Sequence, residues 1–564
     1  MINDVAAGLR GVQTSLFADD SCIYKSGRNL DAIVKCIQSN LDKIVDWCDQ
    51  WGFKINVNKT VAVLFTHRID KIESSLLIRG QPIKIDKTVK FLGLIFDSKL
   101  SWNAHIAHIE EKCKKRLNLM RMLSGQTWGA SKSSLLIIYR MLIRSVLDYG
   151  SIAYNNTSLA NKRRLDKIQH KALRIACRAF CTTSVSSMQN ETGEMPLQYR
   201  REQQELNYAL KLDKANNHPT KSILQKDRLA LNHKFTQDNR PFCSRVREFM
   251  DNIMHKDIEY EGPRPCEVPY WHLPSVVTDK SLTQEVSKKE NPEILKHLSM
   301  SRIGLYDHSL KIYTDASKTS DNRTSAAFYV PEVKLEENVR LSDNLTIFAA
   351  ELVAILLALE WVHSEQNTDK VKLVTIFSDS LSAIDALEIG RSVCRPNLVN
   401  KILHVLAEIP NDRPITFVWI PSHIGIQGNE IVDRLATTAT ANERINLDIP
   451  LELKEAHKLV ENFIFRRWQN AWDVCSTGQH YKAIEPLVSG KVKFTSTNRR
   501  KEITITRLRL GKCRLNAYLK EISAHPDGLC ESCHTAETVE HFLLHCRNRV
   551  TVSLRNACRE LNVL

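Results

Sequence analysis

Four acidic residues in one stretch of the chain have positions that suit metal binding. Two end apolar, strand-like runs: Asp315 in KIYTD and Asp379 in TIFSD. Two lie in helical patterns: Glu351 in FAAELVAILL and Asp433 in GNEIVDRLA. Aspartates that directly follow buried strands lie at the edge of an α/β sheet, where ligands usually bind. Carboxylates that converge there need cations to stay ionised together, and Mg²⁺ prefers such oxygen ligands.

Each of these residues alone also has a structural explanation. Asp379 could cap the following helix, and Glu351 could complement a helix dipole. Asp433 could be an ordinary surface residue. Only the four together predict a metal pair.

The periodicity around these residues predicts an α/β layer. Three strands precede the first long helix and alternation follows, which indicates a mixed β-sheet covered by helices. The predicted strands are 310–315, 325–330, 338–347, 371–378 and 414–418, and the predicted helices are 349–364, 380–389, 396–407 and 428–440.

This segment resembles type 1 ribonuclease H domains over residues 308–442. The shared words are TDAS, AAEL, FSDS and WIPSHIGIQGNEIVDRLA, in the same order and at similar spacing. The resemblance implies a two-metal hydrolysis of the RNA strand of RNA–DNA hybrids, with His423 assisting proton transfer or product release. It also implies that two Mg²⁺ ions, or Mn²⁺ as an alternative, are bound by Asp315, Glu351, Asp379 and Asp433.

Recognition of the RNA strand would use its 2′-hydroxyls, which DNA lacks. Ser317 and Asn429 are candidate contacts, although loop solubility explains both residues equally well. No basic, Trp-rich insertion follows the helix at 380–389. We therefore expect neighbouring domains to bind most of the hybrid.

The charge distribution agrees with a polyanionic partner. The net charge is +15, yet residues 309–442 contain 12 Lys or Arg against 17 Asp or Glu, whereas residues 451–564 contain 19 against 12. An acidic segment within a basic chain suits a carboxylate metal site flanked by phosphate-binding surfaces, although basic residues also serve solubility. The start of the chain lacks a secretion signal, and no run of eighteen apolar residues occurs. We expect an intracellular protein without a membrane partner and with reduced cysteines, either nuclear or cytoplasmic.

The N-terminal region contains a second acidic motif. LFADD, at 16–20, carries Asp19 and Asp20 and predicts a strand–turn–strand hairpin. A helix follows at 29–51, then short strands at 60–66 and 89–96. Helical periodicity covers 103–213, while Pro-containing breakers make 214–307 a predicted connector with some helix.

This region resembles the polymerases of non-LTR retrotransposons, of the Jockey-like kind found in arthropods. The similar segments are LFADD, FKINVNKT, FLGLIFDSKLSW, YRMLIRSVLDYG and LDKIQHKALRIACRAF. The resemblance implies a truncated reverse transcriptase palm at 1–102 and a helical thumb-like region at 103–213. In that family a further metal-binding aspartate lies upstream of the hairpin, and only 18 residues precede Asp19 here. We therefore expect no DNA synthesis, with Asp19 and Asp20 vestigial.

A helix predicted at 161–178 is strongly basic. Its apolar residues keep helical spacing, so one face can pack while the other follows a phosphate backbone, or is simply solvated. The candidate nucleic-acid contacts on it are Arg163, Arg164, Lys167, Lys171 and Arg174.

The predicted helical tail, residues 443–564, contains a pattern typical of zinc sites. The spacing is C-x2-C-x7-H-x4-C, which can close a tetrahedral structural site with Cys530, Cys533, His541 and Cys546. His534 and His545 are rival ligands. Upstream, ITRLRLGKCRLNAYL and this cluster resemble the tail of the same retrotransposon proteins, and Arg507 and Arg509 are candidate nucleic-acid contacts.

The sequence thus predicts a multidomain α/β and α protein. A truncated palm and a helical thumb and connector precede a ribonuclease H-like mixed sheet, and a zinc-bearing tail follows it. RNA–DNA hybrid and other nucleic acid are the expected partners. The alternative is a non-enzymatic nucleic-acid-binding relic, or a co-opted transposon protein.

Overall fold

The structure is a computed structural model that describes residues 4–67, 75–215, 218–221, 240–253, 260–262, 269, 271, 273–285, 291–364, 373–410, 413–548 and 551–552. The chain forms two compact units. One contains the chain up to Glu205 and from Ile464 onward, and the other consists mainly of Arg245–Phe463.

The first unit begins with short strands and one long helix. The predicted hairpin is confirmed as β1 (Gln13–Phe17) and β2 (Asp20–Tyr24), which pair antiparallel. Helix α1 (Leu30–Trp51) is capped by the Asn29 side chain, which accepts from the Ala32 N–H, and it ends at Gly52 in the left-handed region. Six shorter strands follow: β3 (Val61–Ala62), β4 (Leu77–Ile78), β5 (Gln81–Pro82), β6 (Lys84–Ile85), β7 (Thr88–Phe91) and β8 (Leu94–Asp97). The strand predicted at 60–66 is therefore only two residues long.

The prediction of a helical region at 103–213 is confirmed. A π-helical turn at Tyr139–Arg144 makes the third and fourth helices continuous. The helices pack around a buried apolar core that includes Ile106, Leu135, Ile168 and Leu173. They are α2 (Asn103–Leu123), α3 (Lys132–Ile138), α4 (Ser145–Asp148), α5 (Ser151–Tyr154), α6 (Leu159–Cys177), α7 (Val185–Thr192) and α8 (Leu197–Lys214).

The predicted connector contains elements of its own. They are α9 (Phe242–Ile253), β9 (Tyr260–Glu261), β10 (Val277–Asp279), α10 (Leu282–Glu285) and α11 (Pro292–Gly304). After them come β11 (Leu310–Lys318), β12 (Thr324–Val330), β13 (Leu335–Leu341), α12 (Ile347–Ser364), β14 (Val374–Ser378), α13 (Leu381–Ile389), α14 (Pro396–Glu408), β15 (Ile415–Trp419) and α15 (Gln427–Ala439).

These strands form one six-stranded mixed sheet with the order β10-β15-β14-β11-β12-β13. Strands β10, β15, β14 and β11 are parallel to one another, and β12 pairs antiparallel with both β11 and β13. The predicted layer is confirmed, with shifted strand bounds. β11 continues to Lys318 rather than 315, because its last residues pair with β12. β13 runs from Leu335 rather than 338, because Leu335 pairs with Val330 across the turn. It ends before the left-handed turn at Asn344.

Strand β10 departs from the prediction of a simple connector, since it forms the edge of the sheet. Its Asp279 is buried and accepts hydrogen bonds from Arg302 Nε and from the Tyr306 hydroxyl, each 2.6 Å long. A three-residue strand carries too little periodicity to be found in a sequence.

Helix α12 is the one described helix with the length and hydropathy to cross a membrane. Eleven of its eighteen residues are buried, and it packs on β11, β12 and α14. Its apolar composition is thus that of a core helix, which is expected to be hydrophobic all round.

The predicted tail is divided between the two units. Asn446 and Leu447 donate to the Arg340 carbonyl on β13, and β16 (Leu451–Glu452) pairs with β9. The long helix α16 (Leu453–Asp473) leads to α17 (Gln479–Ile484), α18 (Arg499–Arg509) and α19 (Asn516–Glu521), which belong to the first unit.

A buried charge network joins these last helices to α3 and α7. Lys132 and Glu191 are fully buried and form an ion pair of 2.5 Å. Glu191 also accepts from the Tyr481 hydroxyl at 2.9 Å and from Arg509 Nε at 3.1 Å. The backbone N–H of Lys132 donates to Glu502. The part of the tail from Ile464 onward is therefore an integral part of the first unit.

Candidate functional site

Neighbouring parallel strands bring two of the predicted carboxylates together. Strands β11 and β14 pair with Thr314 opposite Ser378, so Asp315 and Asp379 follow side by side. The indole N–H of Trp419, at the end of β15, donates to the Asp379 carbonyl at 3.0 Å and fixes the backbone there. Sequence reasoning missed Trp419, which directly follows the predicted strand at 414–418.

Helix α12 adds the third carboxylate. One carboxylate oxygen of each of Asp315, Glu351 and Asp379 lies within 4.8 Å of the other two. Asp315 is 5% and Glu351 6% exposed. Oε2 of Glu351 is buried without a hydrogen-bond partner. Three hard oxygen donors, one of them unsatisfied, form a donor set that suits a divalent cation.

Burial and mutual repulsion shift the pKa values of these carboxyls. Burial, and then the charge of Asp379, raises the pKa of Asp315 to about 8. Burial and both neighbouring aspartates raise the pKa of Glu351 well above its usual range. Burial also raises the pKa of Asp379, against the opposing effect of His423. Without a cation the cluster therefore retains at least one proton at neutral pH.

The fourth carboxylate, Asp433 on α15, lies at the rim of this cluster. It is outside the 4.8 Å group, but its charge contributes to the raised pKa values of Asp315 and Asp379. His423 Nδ1 lies 3.5 Å from Asp433 Oδ2, and the His423 side chain is 74% exposed. His423 has a left-handed backbone (φ +53°). The loop after β15 thus presents an imidazole to solvent beside the carboxylates.

The two candidate RNA contacts differ in accessibility. Ser317 is half-buried on β11, and its Oγ lies 3.5 Å from the Thr437 hydroxyl. Asn429 is 2% exposed at the start of α15, and its Oδ1 has no partner within the described chain. Ser317 is therefore the more accessible of the two.

Asp19 and Asp20 lie at the turn of the exposed β1–β2 hairpin. No third acidic, His or Cys ligand completes a metal cluster with them among the residues that the structure describes.

The basic helix α6 presents only part of its predicted set to solvent. Arg164 pairs with Glu110, and Arg174 donates to the carbonyls of Phe180 and Cys181. The remaining three residues are exposed, have no ion-pair or hydrogen-bond partner in the described part of the chain, and follow at intervals of four on one helix face: Arg163, Lys167 and Lys171. We call these three the basic stripe.

Arg507 and Arg509 make internal contacts. Arg507 donates to the Arg178 carbonyl at 2.9 Å and lies 4.2 Å over the Phe180 ring. Arg509 forms ion pairs with Glu191 and Glu485. These contacts give both arginines a structural role, and their predicted contact with nucleic acid stays a prediction.

The four predicted zinc ligands converge. Their ligand atoms lie within 4.8 Å of one another, and Cys546 Sγ lies 3.8 Å from Cys530 Sγ and 3.9 Å from Cys533 Sγ. Zn–S bonds of about 2.3 Å in a tetrahedron require sulfur separations of about 3.8 Å. His541 Nε2 is buried without a partner, while its Nδ1 contacts the Thr535 hydroxyl at 3.2 Å.

The rival ligands fall outside this cluster. His534 is exposed on a left-handed turn, and the His545 side chain is 64% exposed beside Glu540. The geometry therefore favours His541. Thr535, which orients the His541 ring, carried no signal in the sequence.

Comparisons with known proteins match this architecture. The RNase H family model matches residues 307–441, and the reverse transcriptase (RNA-dependent DNA polymerase) family model matches residues 1–96. Similar proteins include an RNA-directed DNA polymerase from mobile element jockey of Drosophila melanogaster, 24% identical over 29% of this chain and 18% of that protein. Another is a probable RNA-directed DNA polymerase from transposon X-element of the same species, 26% identical over 28% of this chain and 17% of that protein.

A Pol polyprotein from the type-1 retrotransposable element R1 4 of Nasonia vitripennis is 22% identical over 32% of this chain and 50% of that protein. The chain spans about a fifth of the length of the first two relatives and half of the third. One segment of the chain is thus similar to ribonuclease H and another to reverse transcriptases, and the chain is similar to Jockey-like and other non-LTR retrotransposon proteins of insects.

Proposed function

We propose that this protein hydrolyses the RNA strand of RNA–DNA hybrids at the carboxylate site of its ribonuclease H domain. The observation that carries the proposal is the convergence of Asp315, Glu351 and Asp379 within 4.8 Å at the edge of the sheet. All four family carboxylate positions are filled, counting Asp433.

The donor set fits Mg²⁺, with Mn²⁺ as an alternative, and Asp315, Glu351, Asp379 and Asp433 would hold two ions. When bound, such a pair supplies positive charge that lowers the pKa of a water and stabilises the leaving oxygen. Within the protein, the sheet edge and α12 hold the carboxylates in register. The exposed His423 imidazole can exchange a proton with solvent through Nδ1 or Nε2. Its position beside Asp433 lets it transfer this proton at the rim of the carboxylate cluster.

Recognition of the substrate would involve both polar and basic groups. Ser317 can contact a 2′-hydroxyl, which distinguishes RNA from DNA. The basic stripe of α6 can follow a phosphate backbone. The cluster of Cys530, Cys533, His541 and Cys546 would hold a structural Zn²⁺, since four protein ligands leave no open position.

The test is cleavage of an end-labelled hybrid by the full-length protein with Mg²⁺ and with EDTA. We expect Mg²⁺-dependent products with 5′-phosphate and 3′-hydroxyl ends. Asp379→Asn should abolish cleavage and leave hybrid affinity within severalfold, because the ligand is lost while phosphate contacts remain. Asp321→Asn, in an exposed turn of the same domain, is the matched control.

Full activity in Asp379→Asn would refute the assigned site. Hybrid binding by wild type without cleavage would instead favour the non-enzymatic alternative.

A further inference from the structure

A charged side chain outside the matched domain contacts the start of the helix that carries Glu351. Glu455, in the first turn of α16, is 4% exposed. Its Oε1 accepts hydrogen bonds from the backbone N–H and from the hydroxyl of Thr346, each 2.8 Å long. Thr346 in turn caps α12, because its carbonyl and Oγ1 accept from the Ala349 N–H at 3.0 and 3.2 Å. The carboxylate of Glu455 therefore fixes the capping residue.

The second oxygen of Glu455 is held as firmly. Oε2 accepts from the Arg395 guanidinium and from the Glu452 N–H. Arg395 is 1% exposed, precedes α14, and donates to the Pro450 carbonyl at 2.9 Å. A buried, charge-assisted pair of this kind restricts both partners, because neither can turn to solvent. Glu455 thus connects the starts of α12, α14 and α16.

The position of Glu351 depends on this anchored turn. Glu351 follows Thr346 by five residues, about 7–8 Å along the helix axis. One of its carboxylate oxygens has no partner, and the other interacts with the like-charged Asp315. Its hydrogen-bond partners, the Ala316 N–H and the Asp315 carboxyl, both belong to β11, so the position of the carboxylate also depends on how the start of α12 is fixed against this strand. Lys318, which lies on the same strand as Asp315, donates to the Leu345 carbonyl at 2.7 Å. The strand of Asp315 and the helix of Glu351 are therefore both connected to this turn.

We propose that Glu455 is a positioning residue for the metal-binding carboxylates, acting through Thr346 on Glu351. The inference rests on the proposed nuclease function. It assigns part of the rigidity of the site to a residue beyond the ribonuclease H match at 307–441.

The test compares Mn²⁺ binding by full-length variants, measured by electron paramagnetic resonance without nucleic acid. Glu455→Ala should weaken Mn²⁺ binding by about 10-fold, as expected for loss of an outer-shell partner. Thr346→Val, which removes only the hydroxyl, should weaken it by about threefold. Glu461→Ala is the matched control, because Glu461 is on the same helix and pairs only at the surface with Lys458.

A second readout is independent of metal. Hydrogen exchange at the amides of Ala349 and Ala350 should accelerate in Glu455→Ala and Thr346→Val, but not in Glu461→Ala. If Glu455→Ala does not fold, Thr346→Val decides. Folded variants with wild-type Mn²⁺ affinity, or with unchanged amide protection, would overturn the inference. A wild-type protein that binds Mn²⁺ but does not cleave hybrid would overturn the proposed function alone.

Discussion

Replacing Asp315 with asparagine should stabilise the metal-free second unit at high pH, although it removes a proposed metal ligand. Asp315 is buried beside Asp379, and its pKa rises from 3.8 to about 8 in the folded protein. The native state therefore binds more protons than the unfolded chain between about pH 4 and pH 8, so stability falls as the pH rises through this window. Above about pH 8 the full penalty of the buried charge is present.

The size of this effect follows from the same linkage. A pKa that moves from 3.8 to about 8 corresponds to roughly 6 kcal/mol, which is the ceiling. Asparagine disturbs the hydrogen bond that Asp315 shares with Glu351, so we expect a net gain of about 2–3 kcal/mol at pH 9. For a unit of this size that is roughly 4–12 °C in melting temperature.

Calorimetry of the full-length protein in EDTA at pH 5 and pH 9 measures this difference. We expect Asp315→Asn to melt slightly below wild type at pH 5, where little of the charge penalty is present, and clearly above it at pH 9, while Asp321→Asn follows wild type at both. Saturating Mg²⁺ should reverse the order at pH 9, because only wild type gains binding energy. If Asp315→Asn is no more stable than wild type at pH 9 in EDTA, the buried-repulsion argument is wrong.

Three further outcomes are expected. His423→Ala should slow hybrid cleavage by about 10²–10⁴-fold without eliminating it, because a proton-transfer group contributes that much; complete inactivity in a folded variant would indicate a metal ligand. Cys530→Ser should abolish stoichiometric zinc, measured by elemental analysis, while hybrid cleavage in excess Mg²⁺ persists; loss of cleavage would show that the two metal sites are coupled. Changing Arg163, Lys167 and Lys171 together to glutamine should make the slope of log hybrid affinity against log salt concentration shallower by about 2–3. An unchanged slope would mean that this helix face is only solvated.

The carboxylate site could be predicted because local patterns determine where its residues lie. Asp315 and Asp379 directly follow apolar runs, and parallel pairing of two such runs places their ends together without further information. Glu351 required only the helical period of α12. The same reasoning could not find β10, whose three residues carry no pattern, although Asp279 joins it to α11 through Arg302.

Long-range partners decided the cases that the sequence left open. Three histidines had suitable spacing for the zinc cluster, and only folding shows that the ring of His541 reaches the thiols while His534 and His545 stay exposed. The predicted start of the tail at 443 differs from the boundary between the units, because the second unit continues to Phe463. Local reasoning could not find this, since the strand pairing of Leu451 with Tyr260 joins segments far apart in the chain.

Buried ion pairs between distant residues cannot be predicted from local sequence, and Arg509 was therefore predicted to contact nucleic acid. Lys, Arg and Glu are almost never fully buried unless paired, so local reasoning places them at the surface. Here Lys132 and Glu191 are fully buried, and the partner that completes their network, Arg509, lies more than 300 residues later. Such pairing satisfies each charge only when all members are present. Helix α18 is therefore held to α7 by its own ion pairs, and we expect removal of the proposed zinc to affect only the segment beyond this helix.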